Sequence, residues 1–160
     1  LLSGELRQNI TPESLALKSM NKWYWRPEGG ENLSTSVRAR VESVMSSLYR
    51  HADVSNIIAV THEEFMQTVV FVIERIAPER WNLMDANPKY KIQNGMILQY
   101  SSVDPQTGRR SHNFHWRRAI CPWDESKSWN NGEWVSFNVE KQSNQQLLQY
   151  VEQYPALPIE

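Results

Sequence analysis

Hydrophobic and polar positions divide the chain into two unlike stretches. Thr11-Pro12-Glu13-Ser14 ahead of "LALKSM" has the form of a helix start. Thr11 suits the cap, Pro12 the first helical position, and Glu13 the first turn. A short helix is predicted from Pro12 to about Asn21, broken at "WYWRPEGGEN" by Pro27 and the Gly29-Gly30 pair. Val37, Val41, Val44, Met45 and Leu48 then recur on one helical face, so a long helix is predicted over Leu33–Arg50. "HADVSN" reads as loop. "IIAV" (Ile57–Val60) is β-branched and almost wholly apolar, the pattern of a strand buried on both faces of a parallel sheet. A helix from about Glu64 to Arg75 follows, apolar nearly all round and so expected to be deeply packed. A shorter one is predicted over Ala77–Asp85.

After that the periodicity changes. Met96–Val103 reads as a strand, Asp104–Gly108 as a turn, and Ser111–Ile120 as the returning strand of a hairpin. "CPWDESKSWNNGEW" is loop with a tight turn at Asn130-Asn131-Gly132. "NQQLLQYVEQY" is a final helix stopped near Pro155. Helix–strand–helix followed by a hairpin predicts an α/β fold of which this chain supplies part of the sheet. A crossover needs a strand on each side of its helix, and the long helix has no convincing strand before it. With the opening Leu-Leu-Ser in place of methionine, this points to a longer parent protein.

Composition narrows the picture without deciding it. The 160 residues suit one domain, 1–160, and 40% apolar with 22% charged is ordinary for a globular chain. A net charge of −1 provides no field for nucleic acid or an anionic membrane, so neither is an expected partner. The longest apolar-rich run, Ile57–Ile76, holds too many polar residues to span a bilayer. No signal peptide is evident, and the single cysteine, Cys121, allows no internal disulfide; a cytoplasmic setting is the expectation.

The junction of "IIAV" with the next helix carries the candidate chemistry. A helix that starts beyond a parallel strand points free N–H groups and its positive dipole end at a ligand, most often phosphate. Thr61 and His62 stand there, and a histidine can donate to a phosphoryl oxygen. The plainer reading is that one of them caps the helix, with Glu63 and Glu64 favouring its dipole.

"RPEGGEN" before a long amphipathic helix, then "IIAVTHEE" opening an apolar helix, resembles the histidine phosphatase (phosphoglycerate mutase-like) superfamily. That family has a P-x-G-E-S segment before a helix and a strand ending in V-[TSC]-H-G. "NGMILQYSSVDPQTG" and "WRRAICPWD" look like the tail of bacterial members. The resemblance runs from Trp23 to about Asp124. It implies a three-layer sandwich with a mainly parallel sheet flanked by helices. It also implies phosphomonoester hydrolysis through a phosphohistidine, with a phosphorylated small molecule as substrate and no cofactor or metal. His62 matches the family's second histidine, which steadies the transferring phosphoryl group, with Thr61 beside it. Glu31 matches the G-E-S segment and would tie the loop to the sheet. Glu31, Glu63, Glu64 and Asn94 are expected around the site in supporting positions.

The departures are specific. The sequence contains no Arg-His-Gly, the family's nucleophile motif, and the downstream arginine motif is also absent. "ELRQN" (Glu5–Asn9) resembles the start of an acid-bearing segment, but Gln8 stands where the acid belongs and cannot exchange a proton as a carboxylic acid does. Glu63 replaces the glycine after the histidine and sets a carboxylate near an anion site. Two readings stay open: part of an active phosphatase whose nucleophile lies upstream, or a catalytically inactive relative kept for binding or scaffolding.

Other features have plain alternatives. "HNFHWRR" (His112–Arg118) is a stacking surface for an anionic partner or an ordinary aromatic hairpin. "HEEFM" lacks the second histidine of a zinc motif, since Met66 holds its place. Cys121 reads as a small apolar residue, and the tryptophan-rich tail as packing over the sheet edge.

Overall fold

A computed structural model describes residues 11–50, 56–139 and 143–152. "ELRQN", most of "HADVSN" and the Pro155 stop lie outside them. The elements are α1 (Pro12–Met20), a π-helical turn (Leu33–Val37) running into α2 (Arg38–Arg50), α3 (Glu63–Ile73), α4 (Pro78–Asp85), β1 (Ile97–Ser101), β2 (Trp116–Ile120), β3 (Val135–Ser136) and α5 (Asn144–Glu152).

The helix signals act as their chemistry suggests. Thr11 Oγ1 accepts from the Ser14 N–H at 3.2 Å and opens α1. Asn32 Oδ1 accepts from the N–H groups of Thr35 at 3.2 Å and Ser36 at 3.1 Å, which starts the long helix. Arg75, with φ at 50°, ends the run after α3 by leaving the right-handed region.

The mainly parallel three-layer sandwich does not form. The described residues make one antiparallel sheet of three strands in the order β1-β2-β3. Ile97 faces Ile120 and Ser101 faces Trp116 across the first pair, while Trp116 faces Ser136 across the second. "IIAV" forms no strand and pairs with no other segment as one. Ile58 is 92% and Val60 97% exposed. The reason is physical: β-branching favours an extended backbone, but a strand exists only through a hydrogen-bonded neighbour and side-chain packing. This segment finds neither among the described residues.

The core has two clusters that meet across α3. On one side Trp23, Leu33, Val37, Phe71 and Trp81 pack together, with the Trp23 ring 4.1 Å from Phe71 and 4.8 Å from Trp81. On the other, Val70, Ile92, Met96, Ala119 and Trp129 join the hairpin to the helix. α3 therefore buries Thr68, Val70 and Phe71 but leaves Glu63 and Glu64 exposed, a less complete burial than its apolar sequence suggests. Thr68 satisfies its buried hydroxyl by donating to the Glu64 carbonyl at 2.7 Å. Of the five tryptophans in the second half, Trp129 and Trp81 are core, while Trp123 is 56% exposed. Cys121 is buried, as a small apolar residue would be.

Candidate functional site

The start of α3 follows directly on a segment without regular secondary structure. His62 is the N-cap, with β-region φ −96° and ψ 159°, and its imidazole makes no capping hydrogen bond. Thr61 and His62 are both exposed. The first intrahelical bond runs from the Met66 N–H to the His62 carbonyl at 3.0 Å. The N–H groups of the first turn therefore have no partner within the helix.

The two carboxylates next to His62 are turned away from the helix end. Glu63 Oε1 accepts from Gln67 Nε2 at 3.4 Å, one turn further along. Glu64 pairs with Lys22 Nζ at 3.4 Å, and Lys22 also reaches Asp85 at 3.2 Å. Burial alone would depress the Lys22 ammonium, but the charges of Asp85 and Glu64 outweigh it and hold its pKa above the ordinary lysine value.

The other expected neighbours are committed elsewhere. Glu31 forms an ion pair with Arg40 on α2, so it braces the loop to that helix and not to a sheet. Asn94 lies in the turn before β1, where its backbone carbonyl accepts from Trp123 Nε1 at 2.9 Å. No hydrogen bond or ion pair among the described residues joins Glu31 or Asn94 to His62. His112 is exposed and His115 half-buried on the hairpin; His51 lies outside the described residues.

"HNFHWRR" takes the hairpin reading. The Phe114 ring lies 5.9 Å from that of Tyr100 and 6.3 Å from that of Tyr49. Arg118 donates to Gln99, its partner across the strands, at 2.8 Å and lies over the Trp134 ring. Arg117 turns inward. Its Nη1 sits 2.7 and 2.8 Å from Oε1 and Oε2 of Glu74, and Oε1 also accepts from the Tyr100 hydroxyl at 2.7 Å. Burial raises the Glu74 pKa, against the lowering effect of Arg117 and Tyr100. Burial also pushes the Tyr100 phenol well above its ordinary value, with the Glu74 charge adding to it.

A second feature went unread in the sequence. Gln67, Val70, Trp81, Met84, Tyr90 and Trp129 line a narrow, partly open cleft with room for about one water molecule, with Asp85 at its border. Gln67 Oε1 and Trp81 Nε1 are buried without a partner. No spacing in the sequence signals this cleft, because its walls come from two helices, a short turn and a loop far apart in the chain.

Among the described residues, no group of three or more His, Cys, Asp or Glu is placed to hold a metal ion, and no helix is long and apolar enough to cross a membrane. No protein-family model, curated protein or solved structure matches the chain.

Proposed function

We propose that this chain contributes the phosphate-binding corner of a phosphomonoester hydrolase of the phosphohistidine type, with His62 as the group that steadies the phosphoryl oxygens. One observation carries the reading. His62 caps an eleven-residue helix without spending its imidazole on a capping hydrogen bond, while Glu63 bonds to Gln67 and Glu64 pairs with Lys22. Lys22 offsets the charge of Glu64, whereas Glu63, bonded only to a neutral amide, still opposes an anion there. The helix end and the imidazole can offer donors against that one charge.

The chemistry would run in two displacements. A nucleophilic imidazole attacks phosphorus, a P–N bond forms as the ester P–O bond breaks, and the alcohol leaves with a proton. Water then cleaves the P–N bond to release phosphate and restore the imidazole. His62 would act on the equatorial oxygens in both steps. The sequence holds no Arg-His-Gly, so the nucleophile would come from outside these 160 residues.

A non-catalytic binding domain is the second reading, and the departures from the family motif favour it. Inorganic phosphate titrated into the chain separates phosphate binding from its absence, read by the ring resonances of His62 in NMR spectra. A saturable shift that disappears in His62→Ala supports the phosphate corner. An unmoved His62 ring, or phosphate binding unchanged in His62→Ala, removes this residue from the reading.

A further inference from the structure

We propose that Asn94-Gly95, in the turn leading into β1, is a site of spontaneous modification, where the chain converts its own asparagine to aspartyl and isoaspartyl forms. The sequence contains two Asn-Gly pairs, Asn94-Gly95 and Asn131-Gly132. In such a pair the glycine has no β-carbon to shield its peptide nitrogen. The two pairs are alike as dipeptides, and the fold sets them apart.

The reaction needs only water. The Gly95 nitrogen attacks Asn94 Cγ, and the new N–C bond closes a cyclic imide. The bond from Cγ to Nδ2 breaks, and Nδ2 leaves as ammonia with the proton from the Gly95 N–H. Water then opens the imide at either carbonyl. Opening at one restores the ordinary backbone with an aspartyl side chain. Opening at the other routes the backbone through the side chain and leaves isoaspartyl. Nothing is oxidised or reduced.

The glycine nitrogen is available at the first pair. Asn94 and Gly95 are both exposed. The turn closes around them, with the Met96 N–H donating to the Gln93 carbonyl at 3.1 Å. Trp123 Nε1 donates to the Asn94 carbonyl at 2.9 Å, which leaves the peptide nitrogen untouched. Among the described residues, neither the Gly95 N–H nor the Asn94 side-chain amide has a hydrogen-bond partner.

At the second pair the nitrogen is held. The Gly132 N–H donates to the Trp129 carbonyl at 3.0 Å, and the Glu133 N–H to the Asn130 carbonyl at 3.1 Å. Trp129 is itself buried and anchored to β2, its N–H donating to the Ala119 carbonyl at 3.0 Å. Asn131 stands at φ 56° and ψ 26°. At that ψ its β-carbon lies nearly opposite the Gly132 nitrogen about the Cα–C bond, so the side chain cannot reach it. Attack there has to wait for local opening of the turn.

The conversion has a structural consequence. Ile92 and Met96, on either side of the Asn94 turn, are core residues at 4% and 7% exposure. An isoaspartyl linkage lengthens the backbone between these two anchors and disturbs close packing. The modified chain is therefore less stable. This site stands apart from the phosphate reading, since neither His62 nor Thr61 takes part.

The experiment incubates the 160-residue chain in mildly alkaline buffer, folded and in urea. Mass spectrometry of proteolytic peptides follows both pairs, with aspartyl and isoaspartyl products separated by retention. In the folded chain Asn94 should convert about tenfold faster than Asn131, the scale of opening two hydrogen bonds at the second turn. In urea the two rates should converge. Asn94→Gln should keep its amide over the same interval, because the longer side chain closes its ring more slowly. The proposal is overturned if Asn94 keeps its amide in the folded chain, or if Asn131 converts as fast. It is equally overturned if the folded-state ratio persists in urea, since the fold would then play no part. A lower urea midpoint after conversion supports the anchoring by Ile92 and Met96, and an unchanged midpoint overturns it.

Discussion

Arg117 on β2 grips Glu74 at the end of α3 with one nitrogen, 2.7 and 2.8 Å from the two carboxylate oxygens, and so ties the sheet to the central helix. Both side chains are largely buried, at 15% and 10% exposure. Removing one partner strands the other charge. Arg117→Met should cost ~3 kcal/mol of unfolding free energy near neutral pH. The sign with pH is set by the raised Glu74 pKa. Above its ordinary 4.5, the folded chain holds the proton that the unfolded chain releases, so this group's contribution to stability declines as pH rises toward the folded pKa. Without the arginine, only the Tyr100 hydrogen bond opposes burial, and that decline extends to higher pH. Urea midpoints at about pH 4 and about pH 7 should therefore differ more between variant and wild type at the higher pH.

Tyr100 donates to the same carboxylate at 2.7 Å. Tyr100→Phe should lose about 2 kcal/mol, the scale for a hydrogen bond to a charged group. Its phenol is held well above the ordinary 10.0, so the wild type should lose stability as pH climbs through and beyond that value. The phenylalanine variant should lack this part of the alkaline decline. Denaturant titrations at increasing alkaline pH would show it.

Asn32 begins the long helix by accepting from two backbone N–H groups. Asn32→Ala should cost about 1 kcal/mol, and Asn32→Ser much less, since serine caps as well. Thermal unfolding followed by circular dichroism provides the comparison.

Ile58 and Val60 test the corrected reading of "IIAV". At 92% and 97% exposure they bury almost nothing. Ile58→Thr and Val60→Thr should each change the stability of this chain by less than about 0.5 kcal/mol. A loss of about 2 kcal/mol in either would mean that the segment is packed after all.

Local chemistry was legible wherever neighbours in sequence carry it. Thr11 with Pro12, Pro78 in the first turn of α4 and the turn at Asp104–Gly108 all behave as their residue types require, while of the valine stripe in α2 Val41 is buried and Val44 is exposed. In that turn, Asp104 Oδ1 accepts from the N–H groups of Gln106 and Thr107. The candidate site was legible only in part. His62 falls at the helix start expected for it, but no periodicity could reveal that Glu63 turns toward Gln67 and Glu64 toward Lys22.

The sequence by itself determined the helices, the hairpin and the place of His62 at a helix N-terminus, because caps, turn residues and apolar periodicity act over a few residues. The tertiary structure alone decided the direction of the sheet, the exposure of "IIAV", the Glu74–Arg117–Tyr100 contact and the cleft walled by Trp81 and Trp129. Each of these joins residues far apart in the chain, and a partner so distant leaves no mark on local spacing. The strand that failed illustrates the difference: Ile57–Val60 has the side chains of a buried strand, but burial and pairing are supplied by neighbours, not by the segment.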